Sequence, residues 1–192
     1  ICAMIFILPF FLFSALGGQL GEKYEKSLLI RMIKAAEIVI MALGAVALVL
    51  GNIWMMLAVL FTMGVQSSLF GPVKYSILPQ HLRHRELVGG DALVETGTFM
   101  SILGGTICAG LMMTFQRYDL IIGVSVIIIS IAGYLVSRSI PTARAALPSL
   151  KIDLNIFRQT WSIMRMGFGQ TEAVSRSLIG NSWFWFLGTV YM

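Results

Sequence analysis

The chain has 192 residues, 57% of them hydrophobic and only 12% charged, with a net charge of +5 and a mean hydropathy of +0.85. Soluble domains carry roughly 45–50% apolar and about 25% charged residues, so this composition excludes a water-soluble core and requires lipid as solvent. An apolar run is already under way at Ile1 and another is still running at Met192, and no signal-peptide pattern is visible. The expectation is therefore a piece of a longer polytopic protein.

A crossing helix needs about 20 apolar residues. In chain order the predicted spans are Ile1–Gln19, Leu28–Leu50, Ile53–Leu78, Leu87–Thr114, Leu120–Ser137, and the start of a sixth over Ser175–Met192. The fold class is all-α, a polytopic membrane helix bundle. Gly51-Asn52 between the second and third spans is a tight turn, because both residues tolerate left-handed backbone angles, so those spans form an antiparallel hairpin. Pro72 removes one backbone donor near the end of the third span and predicts a kinked last turn.

The basic residues fix the threading. Lys23, Lys26, Arg31 and Lys34 flank the first connection; Lys74, Arg83 and Arg85 the third; Arg138, Arg144, Lys151, Arg158, Arg165 and Arg176 the fifth. Only Arg117 falls on the other side. Positive charge stays cytoplasmic, so these three connections face the cytoplasm. A basic residue set that tracks topology forms no groove, which excludes nucleic acid as a partner. Cys2 and Cys108 lie in apolar runs with no disulfide or metal-ligand spacing, so they read as packing residues and no metal or cofactor is expected. His81 and His84 read as solvated loop residues.

In the fifth connection, Ser139–Leu150 contains Pro141, Pro148 and small residues and reads as a linker. Ile152–Arg165 follows, with Leu154, Phe157, Trp161 and Met164 at helical spacing and Arg158 and Arg165 on a neighbouring face. That pattern suits an amphipathic helix at the membrane interface, or a soluble helix docked on a partner domain. The predicted organisation is a transmembrane bundle over 1–138, a cytoplasmic connection over 139–174, and the start of a further span over 175–192.

Charged residues sit at the edges of the spans. Lys74 closes the third; Asp91 and Glu95 open the fourth, four apart and so on one face, which Thr98 continues. They either cap and snorkel or pair across the two helices; an unpaired carboxylate at membrane depth costs at least about 2.5 kcal/mol. Glu37 reads as a partner of Lys34 within its helix. Gln66, Ser67 and Ser68 form a polar patch at mid-depth, suited to interhelical hydrogen bonding or to lining a polar route. Gly97, Ser101, Gly105 and Ala109 form a small-residue ridge for close helix packing.

The segment GGQLGEKYEK, 17–26, puts glycines at a helix end, where they permit a tight turn and close packing. It resembles the loop signature of the major facilitator superfamily, approximately G-x-L-x-D-R-x-G-R-R between helices two and three. Gly18, Leu20, Glu22, Lys23 and Lys26 match in type; Glu22 replaces the Asp, and Glu25 stands where glycine is usual. The resemblance implies a fragment covering about helices 2–7 of such a transporter. It also implies a gating role for Gly18, Glu22, Lys23 and Lys26, with Asp91 beside them.

A more specific resemblance is carried by FGPVKYSILPQHL (70–82), ELVGGDALVETGTF (86–99) and SWFWFLGTVY (182–191). These are similar to the bacterial lysophospholipid transporter family over nearly the whole chain, with Asp91 where that family has Asn. The resemblance implies inward movement of lysophospholipids such as lysophosphatidylethanolamine across the inner membrane. The mechanism it implies is alternating access, two halves rocking around a central site. Lys74, Glu95 and Gln66 are then the substrate-path residues: Glu95 suits an ethanolamine amine and Lys74 a phosphate. The implied partners are membrane lipid and the lysophospholipid. Some relatives are fused to acyltransferase domains, so an acyltransferase, as partner or fused domain, joins them. The H-x-x-x-x-D signature of such enzymes is broken at both histidines, since Glu86 and Gly89 occupy the acidic position, and no enzyme activity is expected. A major facilitator carrying another small solute or drug, and the membrane part of a fused acyltransferase, are the alternatives.

Overall fold

The structure is a computed structural model that describes residues 2–191; of these, the side chains of Ile156, Trp185, Thr189, Val190 and Tyr191 are outside the description. The expected bounds at Ile1 and Met192 lie outside the described residues. Among those described every regular element is helical: α1 (Cys2–Lys23), α2 (Lys26–Val49), α3 (Ile53–Ser76), α4 (Leu78–His81), α5 (Leu87–Met112), α6 (Tyr118–Ser137), α7 (Ile156–Phe168) and α8 (Glu172–Tyr191). Five stretches are long and apolar enough to cross a membrane: α1, α2, α3 with α4, α5 and α6. They coincide with the first five predicted spans, the first of them expected to be truncated at its start, to within a few residues. α8 begins near the predicted sixth span, but Glu172, Arg176 and Asn181 keep its described part below that apolarity.

The chain divides into two compact units, one ending at Ile152 and the other beginning at Asp153. In the first, α1 packs along α3, and α2 packs against both α3 and α6. The α1–α3 contact is made backbone to backbone. A Cβ at Gly64 would stand 2.5 Å from the Phe6 carbonyl and 2.9 Å from the Pro9 ring; one at Gly17 would stand 2.9 Å from the Ser68 carbonyl. Pro72 cannot donate to the carbonyl four residues before it, which is that of Ser68, and Gly17 sits against this released oxygen. Gly17 and Gly18 are expected to permit a tight turn and close packing, but neither is a turn residue. α1 continues helically to Lys23, so of the two expected roles only close packing is realised, and by Gly17.

The α2–α3 hairpin forms as its turn chemistry requires. Gly51 takes φ +62°, and the Asn52 side chain accepts from the Trp54 and Met55 amides at 3.1 and 3.2 Å, capping α3. Within the helices, Thr62, Ser68, Ser130 and Ser137 donate their hydroxyls to carbonyls three or four residues back. These four hydroxyls are thus satisfied inside their own helices, as a hydrocarbon solvent demands. On α5, nothing lies within 4 Å of a Cβ added at Gly97 or Gly105, so the two glycines of the small-residue ridge meet no neighbour among the described residues.

The segment after α6 is no free linker. It lies across the basic end of the bundle, where Ala143 and Ile140 close a small core with Ile30, Val73 and Ile77. In the second unit, α7 starts at Ile156, four residues later than expected. Asn155 caps it by accepting from the Arg158 amide at 3.1 Å, and Asp153 accepts from the Asn155 amide at 2.9 Å.

Candidate functional site

Three connections meet at one end of the first unit. The Lys26 amide donates to the Ala143 carbonyl at 3.0 Å, the Leu147 amide to the Glu22 carbonyl at 2.9 Å, and the Gln80 side chain to the Arg144 carbonyl at 3.0 Å. The Arg31 guanidinium donates to the Ile140 carbonyl at 3.0 Å. The first, third and fifth connections therefore share a side, as the one-sided distribution of Lys and Arg predicts.

Glu25, the residue that departs from the loop signature, anchors this crossing. Its carboxylate accepts from the Ser27 hydroxyl and, at 3.1 Å, from the Ala143 amide. The Ser27 hydrogen bond, aided by amides and opposed by desolvation, holds the Glu25 carboxyl below its ordinary 4.5. The clasp is consequently at full strength above that value and is lost as pH falls through the lowered one. Of the predicted gate residues, Glu22 and Lys26 enter the crossing through their backbones, and the Lys26 ammonium is buried without a hydrogen-bond partner among the described residues. Lys23 lies over the Tyr24 ring at 5.7 Å, and Gly18 has no neighbour within 4 Å of an added Cβ.

A polar stripe runs along α3 from this end inward. At the rim, the Lys74 ammonium reaches the Thr98 hydroxyl of α5 at 3.4 Å and stands 4.6 Å from the Tyr75 ring. The Tyr75 hydroxyl donates to the Glu95 carboxylate. The structure thus brings Lys74 and Glu95 to the same place without the direct ion pair the sequence suggested: the phenol, one residue on, takes the acid. Asp91 is exposed, outside this set of bonds.

Two turns deeper, Gln66 donates to Glu37 of α2 at 2.8 Å, and Lys34 pairs with the same carboxylate oxygen at 2.8 Å. The Lys34 ammonium also stands 4.9 Å from the Phe70 ring. At 1.5 Å per residue, Glu37 lies roughly 16 Å along α2 from Lys26, about half of a 30 Å hydrocarbon core. A carboxylate there is tolerable because it has two donors, and the cation because it has an acid and an aromatic face. Sequence reading found the Lys34–Glu37 pair and Gln66 separately, but missed that they form one cluster, and it missed Tyr75.

Lys74, Tyr75 and Gln66 of α3, with Lys34 and Glu37 of α2 and Glu95 of α5, supply both signs of charge and hydrogen-bond groups of both kinds, between apolar surroundings. Such a stripe can exchange its internal bonds for those of a group carrying phosphate and amine. An apolar cavity of about 280 Å³ between α2, α3 and α6, lined by Met41, Leu48, Val59, Met63 and Val126 among others, touches none of these charged groups. No group of three or more metal-ligating side chains occurs among the described residues.

No protein-family model matches the chain. Its sequence is similar to the lysophospholipid transporter LplT of Escherichia coli O6:K15:H31 strain 536, 24% identical over 190 residues. It is likewise 24% identical over 199 residues to LplT of E. coli K12 strain DH10B and of Shigella boydii serotype 18. Each comparison covers 98% of this chain, which spans 45% of the length of those relatives. The chain is homologous to these proteins, in agreement with the resemblance carried by its GPVKY and GTF segments, and with its five apolar helices it is a multi-pass membrane protein.

Proposed function

We propose that this chain is part of a transporter that moves lysophospholipids across the bacterial inner membrane by alternating access. The observation that carries the reading is the similarity to LplT proteins, which runs through 98% of the chain and so includes all five spans and the polar stripe. The stripe suits the cargo. Lys74 offers a cation to a phosphate, Glu95 an acid to an ethanolamine amine, and the Lys34–Glu37–Gln66 cluster a second station near mid-depth, where transporters of this kind place their sites. In this reading an acyltransferase, as a partner or on the same polypeptide, consumes the delivered lipid, and the chain itself performs no chemistry.

The test is uptake of labelled lysophosphatidylethanolamine by cells lacking their own transporter, with the full-length protein supplied. Lys74→Ala and Glu95→Ala each reduce uptake severalfold at unchanged membrane abundance. Normal uptake by both variants removes the rim from the substrate path. Failure of the intact protein to move any lysophospholipid, while it moves a soluble solute, overturns the cargo.

A further inference from the structure

The second unit contains a helix whose most apolar face is left largely exposed by the described residues of that unit. On α7, Phe157, Trp161, Met164 and Phe168 fall at spacings of four, three and four, which places them within one narrow stripe. Phe157 and Trp161 are 71% and 69% exposed, and Leu154 just before the helix is 76% exposed. The side of α7 that does pack is a different one. A Cβ at Gly167 would meet Leu178 of α8 at 2.9 Å, and the Ser175 hydroxyl of α8 reaches the Phe168 carbonyl. The neighbouring helix thus occupies its own face and leaves the aromatic stripe open.

The charges beside the stripe identify what fits it. Arg158 and Arg165 lie seven apart, along one edge of the stripe, and Lys151 precedes the helix. Arg158 is anchored by Asp153 at 3.0 Å with its side chain 76% exposed, which holds the guanidinium at that edge without burying it. Long cationic stems flanking an apolar face, with a tryptophan in the middle of it, are the composition of helices that lie in a headgroup layer. A soluble protein groove would match the aromatic stripe but would leave this basic margin unexplained. An anionic leaflet matches both. The connection is on the side that carries the excess of Lys and Arg, where anionic lipid gives the surface its negative potential.

We infer that α7 is a lipid-binding helix. It lies in the plane of the cytoplasmic leaflet with Phe157, Trp161, Met164 and Phe168 in the acyl boundary and Arg158 and Arg165 on anionic headgroups. The inference rests on the multi-pass character of the chain and not on the identity of any cargo.

The experiment uses the full-length protein in nanodiscs, with Cys2→Ser and Cys108→Ser as background. Single spin labels are placed by Phe157→Cys, Met164→Cys and Ser162→Cys, and Trp161 is kept. Two positions sample the stripe and one the opposite side. In discs of phosphatidylethanolamine with phosphatidylglycerol, labels at 157 and 164 are reached by oxygen and shielded from a water-soluble nickel chelate, and the label at 162 shows the reverse. Replacing the anionic lipid by phosphatidylcholine shrinks the immersed population. Arg165→Gln lowers it about fivefold in the anionic discs, the contribution of one basic residue near such a surface, and Arg165→Lys retains it. Equal access of the nickel chelate to all three positions overturns the inference, since the stripe is then solvated. Shielding of 157 and 164 from both reagents also overturns it, since protein then covers the stripe. An immersed population indifferent to headgroup charge and to Arg165→Gln overturns the anionic assignment. A failed uptake assay with normal immersion leaves α7 as described and rejects only the cargo.

Discussion

α3 meets two neighbours in opposite ways. Against α1 it is fused through glycine, with Gly64 and Gly17 so close to the facing backbone that no side chain fits. Against α5 it is held by side-chain tips: Tyr75 on Glu95 and Lys74 on Thr98. The crossing portion of α5 buries none of its residues. Lipid tails are as apolar as leucine, so the hydrophobic effect does not distinguish these contacts. Close backbone approach does, by dispersion and shape, and long polar side chains do not. One contact joins α1 and α3 backbone to backbone; the other is a latch of two side-chain hydrogen bonds.

The largest effect should come from attacking the fused side. Gly64→Leu forces side-chain atoms into the Phe6 carbonyl and the Pro9 ring. It should destabilise the folded protein by about 3 kcal/mol, read as a lowered midpoint of detergent-induced unfolding. A midpoint like that of the unaltered protein would mean the two helices part easily, and the contrast with α5 would collapse. The latch should show its effect in rate and not in stability. Tyr75→Phe deletes one hydroxyl bonded to a carboxylate and should lower initial uptake roughly tenfold, with abundance unchanged. The smallest effect belongs to the ridge of α5. Gly105→Ala adds a methyl where nothing lies within 4 Å and should shift the unfolding midpoint by no more than about 0.5 kcal/mol equivalent. A larger loss would reveal a helix pressed on that ridge, and α5 would then be fused on one side as α1 is.

The spans were legible because run length and charge asymmetry are properties of sequence alone. The Gly51-Asn52 turn and the shared side of the three basic connections follow from the same local signals. The site was legible residue by residue and not as an assembly. Lys34 and Glu37 are three apart, so their pairing needs only helical periodicity. Gln66 joins them only once the rotation and register of α3 against α2 are known. The same rotation decides that Glu95 receives the phenol of Tyr75 and not the ammonium beside it. Glu25 was read as a flaw in a loop pattern, because its partner amide lies 118 residues along the chain.

That separation has a consequence for how the protein is made. Synthesis proceeds at about 5–20 residues per second, so Glu25 and Arg31 are in place between about 6 and 24 s before Ile140 and Ala143 emerge to meet them. The fused α1–α3 pair needs no residue beyond α3 and can assemble during that interval. The crossing at the basic end cannot, so it acts as the final fastening of the first unit, made only after α6 has been threaded the right way.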